Sequence, residues 1–448
     1  MRGRKAWIGI LILVAVLLLP TAGGAAPAGR SLLILPYQPL DLEREEQWVG
    51  DGVAHVLALA LANHSAFVLV DPARVRRLAQ PETWGDEAVL GAARNVRADL
   101  ALYGEIKRVS GDLVLLPRYM DFKGAGAETR ALPPVAVPEA KIPEGLSGLP
   151  LAYVRALRLP LSEGEAARIE KSAIPTRSPR AFEAYVKGRG AALVGTQAGN
   201  EAAVDLLAKA VEQDPSFVAA QYALGVAHLA LGNRWKAAAQ FRASTQLDPA
   251  FPEPYKALGD LFLAAPRRLF DQAVEAYQKA LELRPFYADA HVGLGDGRAA
   301  KGDVDGAIAS YQKALVFNPG NPKVHMSLGK IYYGEKGLYY EAVGAYKKAI
   351  DLDPQFLEAR MGLGEVYEDK GLYQDAIREY RKVVEIDPQH TGGLYNLALV
   401  YEKVDPREAI TQWERYIQVA APLPAEKDWV DVARLHLKKL KTRVEGTR

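Results

Sequence analysis

Apolar and polar positions follow three successive rhythms along this chain. The first is an unbroken apolar run over residues 6–19, preceded by Arg2, Arg4 and Lys5 and followed by Pro20 and the small residues 22–26. A basic start, a short apolar centre and a small-residue tail predict a secretory signal peptide over residues 1–25, cut after Gly24 or Ala25. The run falls short of the roughly 20 residues that a membrane span needs. The alternative is an uncleaved inner-membrane anchor formed by residues 6–20, and only then is membrane association expected. Either way the bulk of the chain is expected outside the cytoplasm, in the periplasm.

The second rhythm, over residues 30–123, mixes short apolar runs with helical spacing. Residues 31–35 form an apolar run stopped by Pro36, the pattern of a buried strand. Val49, Val53, Val56, Leu57 and Ala60 recur at three- and four-residue steps and predict an amphipathic helix over 45–63. Residues 67–70 read as a second strand, Asp71-Pro72 opens a helix, and residues 86–96 form another. Runs 101–109 and 113–119 flank Ser110-Gly111-Asp112 and predict a hairpin. The result is a small α/β domain. Residues 124–177 are expected to be a linker with one bridging helix: 124–143, rich in Ala, Pro and Gly, as a loop, 146–161 as the helix, and 162–177 as a polar bridge.

The third rhythm repeats. Pro215, Pro249, Pro285, Pro319, Pro354 and Pro388 follow one another at 34, 36, 34, 35 and 34 residues, each closing a unit. Within the unit ending at Pro388, Leu363-Gly364 and Tyr367 precede Gly371, and Ala376, Tyr380 and Val383 follow it. Gly364 and Ala376 are small where two antiparallel helices cross, the large residues fill the space beside them, Gly371 breaks the helices apart and Pro388 stops the second. Neighbouring units carry Leu224-Gly225, Leu258-Gly259, Leu294-Gly295 and Leu328-Gly329, each followed by the matching alanine and aromatic. A first unit begins at Ser178-Pro179 and a seventh covers 391–419, where Trp413 and Tyr416 replace smaller residues. The array spans 178–420, and residues 421–448 are expected to form a capping helix, lysine-rich on its exposed face, and a tail.

Period and residue types together resemble the tetratricopeptide repeat, which implies a right-handed all-α solenoid after the α/β domain, an α+β multi-domain chain. The order of elements in 30–123, with Ile34-Leu35-Pro36-Tyr37, Gly50-Asp51-Gly52-Val53 and 98–106, is similar to the N-terminal domain of the translocation protein TolB and to a related domain that precedes such repeats in many bacterial proteins. That resemblance implies an interaction or structural module without catalytic residues.

Composition narrows function mostly by exclusion. A formal net charge of +2 gives no general affinity for nucleic acid. With no cysteine, disulfides, thiolate metal sites and cysteine nucleophiles are excluded. His291 and His325 share one repeat position, and His228 stands where tyrosine is usual, so packing explains them without a metal. Gly293-Leu294-Gly295-Asp296-Gly297 lies inside a helix with no strand before it, unlike a phosphate loop. No catalytic residue, cofactor or metal is expected, and the chain is read as no enzyme.

Function then rests on the groove that stacked first helices line. Its expected lining is apolar in the second unit (Tyr222, Val226, Leu229) and carries Lys256 and Asp260 in the third. Asp289 and Asp296 follow in the fourth, Lys323, Met326, Lys330 and Tyr333 in the fifth, and Glu358, Met361, Glu365, Glu368 and Asp369 in the sixth. Asp289/Asp296 and Glu358/Glu365 are expected as solvated surface or ligand contacts. Because Asp260 follows Lys256, the clamp by which some family members hold a chaperone's C-terminal carboxylate is not reproduced. The expected role is a periplasmic scaffold that binds protein or peptide partners in cell-envelope assembly; the alternative is a regulatory or sensory subunit of an envelope enzyme.

Overall fold

The computed structural model describes residues 29–76, 78, 83–122, 126–266 and 269–445. The expected signal segment and its anchor alternative lie outside them. The chain enters through β1 (Arg30–Ile34), the two-residue β2 (Gln38–Pro39) and α1 (Trp48–Leu61). It continues through β3 (Phe67–Leu69), α2 (Pro72–Arg76) and α3 (Asp86–Val96) into the long hairpin of β4 (Leu100–Val109) and β5 (Asp112–Asp121).

β1 pairs in parallel with β3 and β4, and β4 pairs antiparallel with β5. Buried on both faces, β1 reads as a continuous apolar run: Leu32, with Leu100 and Leu102, packs under α1, while Leu33, with Ala101 and Tyr103, packs under α3. At the hairpin tip Ser110 and Gly111 both have positive φ, 53° and 95°, which suits the right-handed twist of a tight two-residue turn.

The expected loop over 124–143 is corrected. Glu128–Ala131 (β6) and Val135–Val137 (β7) both pair antiparallel with β5 and extend the sheet. The reason is a bare hairpin edge: β5 offers unpaired backbone that these residues cover, whatever their composition. The helix expected over 146–161 shortens to α5 (Leu149–Ala156), behind the single turn α4 (Ile142–Gly145), and ends where Arg158 adopts a positive φ of 53°. The bridge over 162–177 is ordered as α6 (Glu163–Ala173), started by a capping box in which Ser162 and Glu165 bond each other's backbone.

The array follows in seven pairs. These are α7 (Pro179–Ala192) with α8 (Gln197–Gln213), α9 (Val218–Ala230) with α10 (Arg234–Leu247), and α11 (Pro252–Leu263) with α12 (Phe270–Leu283). Next come α13 (Ala288–Ala300) with α14 (Val304–Phe317), α15 (Pro322–Gly334) with α16 (Tyr339–Leu352), and α17 (Leu357–Asp369) with α18 (Tyr373–Ile386). The seventh pair is α19 (Thr391–Val404) with α20 (Pro406–Ala420), and α21 (Lys427–Glu445) packs on its end. Gly232, Gly302, Gly337 and Gly371 turn between paired helices at φ of 63–81°, a region closed to most side chains. Between units the residue before each proline is forced into extended geometry: Asp248, for example, has φ −136° and ψ 94°. Its carboxylate then accepts from the amide of Ala250 at 3.0 Å, and Asp214, Asp353 and Asp387 do the same two residues on.

The two regions are not separate bodies. One hydrophobic core runs from Leu32 and Val53 through Tyr153 and Ile169 to Phe182, Leu207 and Leu224. Five successive inter-unit junctions also meet the N-terminal region. Thr176 donates to Asp214 at 2.5 Å, Lys171 pairs with Asp248 at 2.7 Å, and Arg284 donates to Asn63 at 3.1 Å. Gly29 lies so close to the Phe317 carbonyl that a Cβ there would sit 2.9 Å away, and Arg97 donates to the carbonyls of Asp351 and Leu352 at 3.3 and 2.9 Å. That last contact places a cation on the carbonyl end of α16.

Candidate functional site

The groove is held open by buried aromatic rings. The second helices α12, α14, α16 and α18 each press a tyrosine against the glycine of the first helix, and a Cβ on either Gly259 or Gly293 would come within 2.7 or 2.3 Å of the Tyr277 ring. Tyr346 sits the same way between Gly329 and Gly362. Its hydroxyl end points each ring toward the groove: Tyr277 donates to Asp260 at 2.8 Å, Tyr311 to Asp296 at 2.6 Å and Tyr380 to Glu368 at 3.2 Å. These are buried hydroxyls that need an acceptor, and the first helix supplies it.

That pairing corrects part of the charge reading. Asp289, Glu358 and Glu365 are exposed, but Asp296 and Glu368 are half-buried and committed to tyrosines. Burial raises the carboxyl of Asp296 above the usual range against the Tyr311 hydrogen bond, with Asp260 adding to the rise. Burial likewise raises half-buried Glu368, opposed by Tyr380. Lys256 is neutralised by Asp260 at 2.7 Å.

The apolar section is also occupied. Tyr222 packs its ring against Phe241 and Phe251, at centroid distances of 5.6 and 5.8 Å, and Val226 and Leu229 lie on the core formed by Phe241, Ala257 and Leu258. They join neighbouring units. Three residues that the sequence reading passed over take the equivalent places in the first unit: Phe182, Tyr185 and Arg189 stand at the same offsets from Gly188 as Lys323, Met326 and Lys330 do from Gly329. The missing signal was register, since Lys187-Gly188 replaces the Leu-Gly pair of the other units. On these residues lies α1. Trp48 meets Phe182 at 5.9 Å, Gly52 backs onto Phe182, and His55 meets Tyr185 at 5.8 Å. Asn63, beyond the end of α1, reaches Arg284, which also holds Glu253 at 2.7 Å. The first section of groove is therefore filled by the chain's own helix.

The fifth to seventh units differ. Lys323 and Lys330 are exposed, and Met326, Tyr333, Met361 and Tyr395 are partly buried against the C-terminal core. Tyr333 donates to Asp369 across the unit boundary. Here an apolar floor and exposed charged side chains lie together.

His291 bonds the Pro285 carbonyl at 2.8 Å, and Tyr255 and Arg360 bond Pro249 and Pro354 from the same repeat position. Among the described residues no group of three His, Asp or Glu is arranged to hold a metal ion, and no helix is long and apolar enough to cross a membrane.

Residues 195–252 and 331–391 match a family model described as tetratricopeptide repeat, and residues 295–335 one described as TPR repeat. Among solved structures the chain is similar to MamA, at 26% identity over 37% of this chain and 95% of that one, with a TM-score of 0.33. It is also similar to YrrB, described as a TPR protein with an unusual peptide-binding site, at 24% identity over 44% and 97% with a TM-score of 0.35. The pilF protein of Pseudomonas aeruginosa matches at 17% identity over 51% and 98% with a TM-score of 0.43. No curated protein matches. With the unit length and the glycine turns in place, the described residues form a small α/β region followed by a helical solenoid in which residues 195–252 and 295–391 match tetratricopeptide repeats.

Proposed function

We propose that this chain is a non-enzymatic scaffold that binds a protein or peptide partner in the groove of its fifth to seventh units, in the periplasm, during assembly of cell-envelope complexes. The observation that carries the reading is the contrast between the two ends of the groove. At the first unit α1 already covers Phe182 and Tyr185, whereas Met326 and Met361 form a floor between exposed Lys323, Lys330, Glu358 and Glu365. An adaptable methionine floor between walls of both signs suits an extended segment whose own charges alternate. The periplasmic assignment is supported by the basic, apolar and small-residue order of residues 2–26.

Photo-crosslinking in living cells tests the site. A probe at Met326 or Met361 is expected to trap a partner, and a probe at Tyr185 is expected to trap none. Reversing Lys323 and Lys330 to glutamate together is expected to weaken capture of that partner at least about tenfold, as for paired interface charges. Equal trapping at Tyr185 and Met361, or capture indifferent to the reversal, would reject the groove. Location is tested separately: osmotic-shock release and N-terminal sequencing are expected to give a mature chain starting at Ala25 or Ala26.

A further inference from the structure

The exposed face of the capping helix is mostly charged, as a terminal helix requires, but apolar side chains interrupt it. On α21, Val430, Ala433 and Leu440 are buried against the last unit, His436 bonds Glu402 at 2.7 Å and Lys441 pairs with Glu414 at 2.7 Å. These contacts put α21 where the first helix of an eighth unit would stand, but among the described residues no second helix follows it. The face that a second helix would cover carries Val432 and Leu435, 36% and 59% exposed, with Trp429, 55% exposed, at its margin against Tyr395. A terminal helix serving only to solvate the array would carry charge at those places.

Charge is distributed along this face in a self-complementary way. The N-terminal half bears Asp428 and Asp431, the latter paired on its outer side with Arg434 at 2.9 Å, the middle bears Val432 and Leu435, and the C-terminal half bears Lys438 and Lys439, all exposed. We propose that α21 docks antiparallel on the α21 of a second copy of this chain, each covering the other's Val432 and Leu435. About a dyad at Leu435, Leu435 meets its own copy, Asp431 faces Lys439, and Val432 faces the aliphatic stem of Lys438. A parallel pair would set acid on acid and base on base. The antiparallel sense is also that of the two helices within every unit. A 19-residue helix is about 28 Å long, and one such pair falls below the roughly 800 Å² per partner of a standard interface, so the dimer is weak and concentration-dependent.

The absence of cysteine makes the test direct. Leu435→Cys, placed on the dyad, is expected to give a disulfide-linked dimer under mild oxidation, much faster than Val194→Cys, a comparably exposed site in the first unit. In sedimentation velocity the unmodified chain is expected to shift toward dimer as concentration rises. Leu435→Asp, at a solvent-facing position that does not threaten folding, is expected to raise the dissociation constant about tenfold or more. Asp431→Lys weakens association and Asp431→Lys with Lys439→Asp restores it. A chain that stays monomeric throughout, or Leu435→Cys that links no faster than Val194→Cys, overturns the proposal. So does a monomer that cosediments with phosphatidylglycerol vesicles through Trp429 and Leu435, which would assign the face to lipid.

Discussion

At the scale of single residues the array is set by what fits beside an aromatic ring. Gly293 is tolerable only as glycine because a Cβ would lie 2.3 Å from Cε1 of Tyr277, a ring with no exposed surface and no room to move. Gly293→Ala is therefore expected to destabilise by about 1–3 kcal/mol, the usual range for overpacking. Gly344, on the outer face of α16, meets nothing within 4 Å, so Gly344→Ala is expected to stabilise by up to about 1 kcal/mol through helix propensity alone. Opposite signs in chemical denaturation check the argument, and equal effects would mean that the ring is not confined. Arg284 belongs to the same scale. It is 4% exposed, donates to Glu253 and Asn63 and lies over the Tyr287 ring at 4.9 Å. Arg284→Met leaves Glu253 buried without its cation and is expected to cost about 3 kcal/mol.

At the scale of elements the decisive one is α1, which belongs to the sheet by its sequence pattern and to the groove by its outer face. Two titrating groups lie at its contacts, His55 on α1 itself and Glu165 on α6. His55, enclosed between α1 and α7, is pushed down to about 3 by burial and by the Arg189 charge, and Glu165, which takes the Ser65 amide at 2.9 Å, falls to about 2 because hydrogen bonds from Ser162 and Ser65 outweigh burial. For His55 the unfolded chain takes up a proton near 6.5 while the folded one does not, so stability is lost as pH falls from about 6.5 toward 3. For Glu165 the contribution is full above about 4.5 and fades as pH falls through 2. Half-buried Asp296 and Glu368 are raised instead, so acid relieves these first-helix carboxyls. Hydrogen-exchange protection is thus expected to fall in α1 and α7 before α17 and α18 between pH 6 and 4, and His55→Gln is expected to flatten the upper part of that fall. Such docking is where sequence reading stops. The repeats were legible because each unit states its own register through Leu-Gly, the turn glycine and the closing proline, α1 was legible from its period, and the β4–β5 hairpin from two apolar runs about Ser110-Gly111-Asp112. Pairing of β6 and β7 with β5 depends on an edge left open elsewhere in the chain, and the covering of Phe182 depends on the face α1 leaves over after packing on β1. Neither signal is local.

At the scale of the whole molecule, solenoid logic predicts that damage stays with its neighbours, yet the distribution of buried side chains divides this chain differently. The core that includes Leu32, Val53 and Tyr153 of the sheet region also includes Phe182, Tyr185, Leu207 and Phe217 of the first units, while a second core gathers Tyr346, Tyr380, Trp413 and Leu440 at the far end. Between them lie small clusters around Phe241, Tyr277 and Tyr311. The α/β region and the first units should therefore open together, and the last three units with α21 should open on their own. Phe182→Ala and Ala376→Leu separate the two. Phe182 is fully buried against Trp48 and Gly52, so its truncation is expected to cost about 3–5 kcal/mol and to lower protection in β1 and β4 as well as in α7. Ala376, also fully buried, is expected on change to leucine to cost about 1–3 kcal/mol and to lower protection in α17 to α19 while leaving the sheet untouched. Loss of protection confined to α7 and α8 in the first variant would mean that the sheet stands without the array, and that α1 only rests on the groove it fills.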